Sequence, residues 1–297
     1  MGGAIAGRMR QAGYEIRGYD VAASVREDFR KAGFQVSDSL AEAASGADSA
    51  WLCLPDADAV RAAVFGPGGL LEAEPLPAVC VDLTSSLPSA TREVGAGLAE
   101  RGVAMLDAPV SGGVAGAREG RLTAMVGGDP HLAEEVSELI RTFASSVVWA
   151  GSLGAGHAVK AINNALSAVS LAVTAEMLVT ARASGIDADV ALRAFNAGTA
   201  RSQNSEVKYP QHILTGTYDS GFTAGLMHKD IATACQIAAD LGVALPLTSV
   251  VREVWAALVA RQGFAADFTR IYQLSEEWAA TPDRGVRAGA TGEDEED

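Results

Sequence analysis

Lys160 is the side chain whose setting says most about chemistry. It stands in "GAGHAVKAINN" (154–164), inside an otherwise apolar helical segment, with Asn164 at i+4 on the same face and Asn163 one residue off it. A buried ammonium is costly without partners, and burial depresses its pKa. A lysine so placed can exchange a proton with a substrate oxygen; a lysine snorkelling out at a domain boundary leaves the same pattern. A second group is "DAPVSGG" (107–113), where a strand opens onto Ser111, Gly112 and Gly113. A hydroxyl beside exposed backbone N–H groups can hold a carboxylate, and a plain glycine turn reads the same way. The third is the opening "MGGAIAGRMRQAGYEIRGYD", with Gly2 and Gly3 at a helix start and Asp20 ending the next strand. In a dinucleotide site, motif glycines admit the pyrophosphate to a helix N-terminus, and an acid about 20 residues on takes the ribose hydroxyls. Only the rear of that arrangement is visible here, and a terminal helix followed by a surface Asp matches it too. The fourth group is Lys229 and Asp230 in "GFTAGLMHKD" (221–230), either a site or a solvated charge pair.

These groups need elements to hold them. From residue 1 to 151 short apolar strands alternate with amphipathic helices. Strands are expected at 15–20, "FQV", 49–55, 78–84, 103–110, 122–128 and 146–151. The helices include one capped by Asp56, one at 88–100 and one at 130–142. Continuous apolar strands spaced by helices indicate a doubly wound α/β domain with a parallel sheet covered on both faces. After Gly156 the strands stop. A long Ala-rich helix is expected over 157–184, closed by Gly185, with further helices near 187–196, 225–241, 247–261 and 267–279. The division is therefore a sheet domain at 1–151, an all-α domain at 152–280 and a disordered acidic tail at 281–297.

Composition narrows the field. The net charge is −14 with no basic run, which argues against nucleic acid as a partner. No apolar run approaches the ~18 residues of a membrane span, and no signal peptide is visible, so neither a membrane nor secretion is expected. Cys53, Cys80 and Cys235 read as reduced, buried thiols of a cytoplasmic protein. No Cys/His cluster has the spacing of a metal site, so no metal is expected.

In "DAPVSGG", "GxGxxxKxxNN" and "F…LMxKD", in this order, the chain resembles the β-hydroxyacid dehydrogenase family over about residues 1–280. That family includes 3-hydroxyisobutyrate dehydrogenase, tartronate semialdehyde reductase and relatives. The resemblance implies a Rossmann-type domain, a long interdomain helix and an all-α C-terminal domain. It implies NAD(P)-dependent interconversion of a small 3-hydroxy acid and its aldehyde. Lys160 matches the catalytic lysine and Asn164 the asparagine that orients substrate beside it. Ser111, Gly112 and Gly113 match the segment that binds the substrate carboxylate. Thr84 in "VDLTSS" matches a residue beside the nicotinamide, Leu54 and Pro55 in "LCLPD" match a loop along the cofactor, and Lys229 matches a lysine that reaches the cofactor. Asp20 accepts ribose hydroxyls and repels a 2′-phosphate, while Arg26 lies in the next helix, so NAD is favoured over NADP. A homodimer or homotetramer built through the helical half is expected.

The family opens with an apolar strand and G-x-G-x-M-G, of which Met1 and Gly2 match the last two positions. About eight to ten upstream residues are expected to complete a strand and its turn, with Met1 an internal methionine. A truncated, weakly binding chain is the rival. Two other functions share the architecture: an NADPH-dependent imine reductase, against which Lys160 and Asp20 argue, and a non-catalytic cofactor-binding relative. Substrate discrimination is expected around 195–205 and 218–222.

Overall fold

The computed structural model describes residues 1–279; the expected acidic tail, 281–297, lies outside the described residues. In chain order the first elements are α1 (Gly2–Gln11), β1 (Arg17–Gly18), α2 (Ala23–Lys31), β2 (Gln35–Val36), α3 (Leu40–Ala44), β3 (Ser49–Leu52), α4 (Ala57–Phe65), β4 (Val79–Asp82) and α5 (Pro88–Ala99). There follow β5 (Ala104–Asp107), β6 (Val110–Ser111), α6 (Gly113–Glu119), β7 (Leu122–Gly127), α7 (Pro130–Glu135), α8 (Ser137–Arg141) and β8 (Ala144–Gly151). The helical part holds α9 (Ala155–Ala183), α10 (Ala188–Ala197), a π-helical segment (Asn204–Ile213), α11 (Ala224–Asp240), α12 (Pro246–Gln262) and α13 (Ile271–Trp278). The expected cap at Asp56 operates, and two further start signals accompany it. Asp56 accepts from the Ala59 amide, Asp129 from His131 and Leu132, and Pro88 takes the first turn of α5. Gly185, at φ 82°, closes α9.

The main sheet runs β3-β4-β5-β7-β6, with β8 on the other side of β7. β3, β4 and β5 are parallel, and β8 is parallel to β7. β7 is antiparallel to both β5 and β6. β1 and β2 pair in parallel as a separate two-stranded sheet. Successive residues of β4 explain why its strand is apolar throughout. Val79 and Val81 enter a core with Ile5, Met9, Leu106 and Phe143, while Cys80 enters the opposite core with Val60, Val64, Leu98 and Met105. Both faces are covered, so no position on the strand is left for a polar residue until Asp82 at its end.

The structure corrects four expectations. The strand expected over 103–110 is two. Pro109 has no N–H to donate, the Ala108 amide turns to Asp82 O at 2.7 Å, and Val110 then pairs antiparallel with Ala124. The helix expected over 130–142 parts at Val136, whose φ −92° and ψ 0° interrupt it. The π-helical segment went unforeseen; its fully buried Tyr209 donates its hydroxyl proton to Leu171 O at 2.7 Å. Finally, α9 is long and apolar enough to cross a membrane by length and composition, although Lys160 interrupts its apolar run; half of its most apolar window is buried in the fold.

The compact units part at places other than residue 151. One comprises Met1–Ser167 with Leu226–Glu253; the other comprises Ala168–Gly225 and, among the described residues, 254–279. The first turns of α9 belong with the sheet because Gly156 lets them touch it. A Cβ there would lie 2.2 Å from Met125 O and 2.9 Å from Asp107 Oδ2. Backbone cannot yield to such an overlap as a flexible side chain would. Gly156→Ala is expected to cost about 2 kcal/mol or more, and Gly7→Ala, with open space around it in α1, to stabilise by about 0.5–1 kcal/mol. Urea denaturation of the two variants beside the parent checks both signs.

Candidate active site

α9 begins at the ends of two neighbouring strands, each finishing in an aspartate. Asp82 of β4 and Asp107 of β5 face one another in register and are buried. Asp107 accepts the Gly154 amide on one oxygen and the His157 amide on the other, both at 2.7 Å. One turn further along α9, Lys160 enters a cleft lined by Ser85, Ser86, His157, Asp230 and Thr233. Only 8% of Lys160 is exposed. Burial pushes its ammonium below the ordinary value; the Asp230 carboxylate opposes that shift and Lys229 adds to it. Asn164 donates its side-chain amide to Asp230 Oδ2 at 2.6 Å, and Asn163, exposed, donates to Asn164 Oδ1 at 3.2 Å. The cleft thus presents a buried ammonium, an oriented carboxamide and a carboxylate that balances charge.

Lys229 stands 3.6 Å from Asp230 and donates to Ser85 O at 2.9 Å and to Pro55 O at 3.3 Å. It thereby ties α11 to the loops after β3 and β4. Thr84 is buried; its hydroxyl accepts from the Leu54 amide at 3.1 Å, and its own amide donates to Asp82. Lys160, Asn164, Lys229, Leu54, Pro55 and Thr84 are therefore gathered around the ends of β3 and β4. Gly2 brings the start of α1 beside the same strand ends, since a Cβ there would lie 3.3 Å from the Cβ of Cys53, just past β3. Met1 precedes that start, and Asp20, exposed, follows β1. Ser111, Gly112 and Gly113 lie at the junction of β6 and α6. Gly112 takes φ 129° and Gly113 φ 71°, conformations that leave this turn to glycine.

The arrangement suits a dinucleotide. A glycine start of a helix meets a strand end, an exposed carboxylate with acceptor capacity to spare follows on the next strand, and the parallel strands point their C-terminal ends at the cleft. Residues 1–151 match the NAD binding domain of 6-phosphogluconate dehydrogenase. Residues 154–275 match the family described as NAD-binding of NADP-dependent 3-hydroxyisobutyrate dehydrogenase. The 2-(hydroxymethyl)glutarate dehydrogenase of Eubacterium barkeri is 32% identical over 242 residues, 82% of this chain and 79% of that protein. The mitochondrial 3-hydroxyisobutyrate dehydrogenase of Mus musculus is 31% identical over 283 residues, 93% of this chain and 84% of that protein. The solved structure of Mycobacterium tuberculosis 3-hydroxyisobutyrate dehydrogenase with L-serine superposes with a TM-score of 0.84 at 30% identity, covering 92% of this chain and 95% of that one. The chain belongs to the β-hydroxyacid dehydrogenase family. It is an NAD(P)-dependent oxidoreductase of hydroxy acids with a Rossmann-type sheet domain and a helical C-terminal region.

Reasoning from sequence missed part of this dehydrogenase's cleft. From sequence alone Asp82 and Asp107 read as strand residues and His157 as a helix residue. A signal was available: two neighbouring apolar strands, "VCVD" and "AMLD", each end in an acid, and an acid that closes a buried strand needs donors nearby. In the sequence Asp230 reads either as part of a site or as one half of a solvated charge pair with Lys229. Its position beside Lys160 gives a test. In Asp230→Asn the hydrogen bond with Asn164 can persist while the negative charge goes, so Lys160 should titrate about one pH unit or more lower. NMR of ε-13C-lysine-labelled protein reads that shift directly; an unmoved Lys160 would mean that Asp230 does not support its charge.

Proposed function

We propose that the enzyme interconverts a small 3-hydroxy acid and its aldehyde, with Lys160 moving the proton on the substrate oxygen. The observation that carries this reading is the buried ammonium of Lys160, lowered by burial and flanked by an Asn164 carboxamide that Asp230 holds in place. The bound nicotinamide supplies the hydride acceptor in oxidation and the hydride donor in reduction. In oxidation, neutral Lys160 takes the hydroxyl proton as the carbon–oxygen double bond forms. In reduction, its ammonium polarises the aldehyde oxygen and gives the proton back. A lysine at its ordinary value of 10.5 would seldom be neutral near pH 7, so the lowering by burial serves the oxidative direction. Ser111, Gly112 and Gly113 hold the substrate carboxylate, and Asn164 orients the oxygen toward Lys160.

NAD is the preferred cofactor in this proposal. Asp20 follows β1 as an exposed carboxylate, and the Arg26 guanidinium donates to the backbone carbonyls of Asp20 and Val21 at 2.6 and 3.1 Å. Held there, it bonds backbone rather than standing ready for a 2′-phosphate. Leu54, Pro55, Thr84 and Lys229 line the nicotinamide end. A homodimer or homotetramer in the cytoplasm completes the proposal. It is supported by the apolar stripe that α9 leaves exposed at Val159, Ile162, Leu166, Val173 and Met177, and light scattering tests the assembly.

Lys160→Ala is expected to lower kcat by about 10²–10⁴-fold while NADH still binds. Wild type should bind NADH more tightly than NADPH, and Asp20→Ser should narrow that preference; fluorescence titration measures both. Lys160 also carries a stability signature. Because its folded value is lowered, the unfolded chain binds more protons between that value and the ordinary 10.5. Stability should therefore rise with pH through that window, and the destabilisation should be fully present below it. Lys160→Met should raise the urea midpoint at pH 7 and flatten the rise; an unchanged midpoint would contradict the burial cost assigned here.

A further inference from the structure

Several hydroxyl groups surround the Lys160 cleft, and most are already engaged. Thr84 accepts the Leu54 amide at 3.1 Å. Thr91 stands 2.7 Å from His157 Nδ1 and 3.0 Å from Leu87 O. Thr233 donates to Lys229 O at 3.0 Å. Ser85 is half-buried and in part open to solvent. Ser86 differs from all of these. It is only 8% exposed and lines the cleft with Lys160, yet its hydroxyl makes no hydrogen bond among the described residues. The Lys160 ammonium likewise makes no hydrogen bond or ion pair there. Buried polar atoms are seldom left unmatched, because losing water without a replacement is costly. The segment also holds Ser86 in place. Before it, the Thr84 amide donates to Asp82 at 2.9 Å and Ser85 O accepts from Lys229 at 2.9 Å; after it, Pro88 opens α5.

We infer that Ser86 is a second hydrogen-bond donor to the substrate oxygen on which Lys160 acts. The inference rests on the reading of Lys160 as the proton-moving group, but its test does not need turnover. An aldehyde oxygen has two lone pairs, so it can accept from the Lys160 ammonium and the Ser86 hydroxyl at once, and both buried donors are then matched. In reduction the hydride adds to the carbonyl carbon, the π pair moves onto oxygen, and Lys160 gives that oxygen its proton. Ser86 keeps its own proton throughout. In oxidation neutral Lys160 takes the hydroxyl proton, and the Ser86 hydrogen bond supports the negative charge that gathers on oxygen before the hydride leaves. A donor fixed in advance at such a place costs no reorganisation when the charge develops.

The test compares two acids that differ only in the oxygen concerned. 3-Hydroxypropanoate, the smallest 3-hydroxy acid, and propanoate are titrated by calorimetry into the NADH-loaded protein, where no hydride can be accepted and nothing turns over. Wild type should bind the hydroxy acid more tightly. Ser86→Ala should weaken 3-hydroxypropanoate about tenfold and leave propanoate unchanged. Equal weakening of both acids would place Ser86 on the carboxylate and overturn the inference. So would a Ser86→Ala protein that binds both as wild type does, or a wild type that shows no preference for the hydroxy acid. Urea denaturation supplies a second check. Removing an unmatched hydroxyl should not lower the midpoint, whereas a clear fall in Ser86→Ala would show that the hydroxyl is bonded within the fold, which also overturns the inference. The activity of Lys160→Ala tests the catalytic reading by itself: full activity there defeats that reading, while the two acids decide the role of Ser86 with Lys160 intact.

Discussion

The site depends on Asp107. Its two oxygens accept the amide of Gly154, just before α9, and that of His157 in its first turn, both at 2.7 Å and fully buried. Those amides are among the orphan donors that open any helix. Capping them from a strand end fixes both where α9 starts and how it is rotated about its axis. Gly156 makes the cap possible, because any side chain there would collide with Met125 O and with Asp107 itself. Once rotation and height are set, the i+3 and i+4 spacings of the helix determine where His157, Lys160 and Asn164 must point. Precision in the cleft is thus inherited from backbone geometry rather than from the cleft side chains.

Charge in the cleft is kept close to balance. Lys160 and Lys229 bring two ammonium groups toward one buried carboxylate, Asp230. Lys229 is partly satisfied elsewhere, by carbonyls after β3 and β4. This leaves Lys160 as the ammonium whose charge is least supported. Buried charges are stable only when paired and hydrogen-bonded, and a group short of partners shifts toward its neutral form. For a lysine that must both give and take a proton, incomplete pairing is what makes it usable. The same reasoning gives Asn164 its value. Held by Asp230, its carboxamide is oriented before any substrate arrives.

Much of this was legible in the sequence, residue by residue. Lys160 stood out because a lysine in an apolar helix is expensive, and Asn164 because i+4 puts it on the same face. The alternation of strands and helices announced a doubly wound sheet, and Gly185 and Asp56 marked a helix end and a helix start where the structure has them. Boundaries failed where long-range contacts outweigh local pattern. Pro109 splits one apolar run into β5 and β6 because hydrogen bonds to Asp82 and Ala124 compete for the same few residues. The π-helical segment around Tyr209 has no periodic signature, since its geometry answers to a buried hydroxyl bond with Leu171.

The sequence by itself determined the types of group and their local spacing: a lysine and an asparagine on one helical face, a glycine turn after a strand, and an acid after the first glycines. Periodicity and propensity act over a few residues, and most of these relations span no more than that; Asp20, 18 residues after Gly2, is the longest. Tertiary structure alone decided which distant groups meet. Asp82, Asp107, His157 and Asp230 are ordinary in their own segments and become a site only when β4, β5, α9 and α11 converge. The reason is physical. A buried polar group is defined by the partners that replace its water, and those partners lie dozens of residues away, where no local pattern can record them.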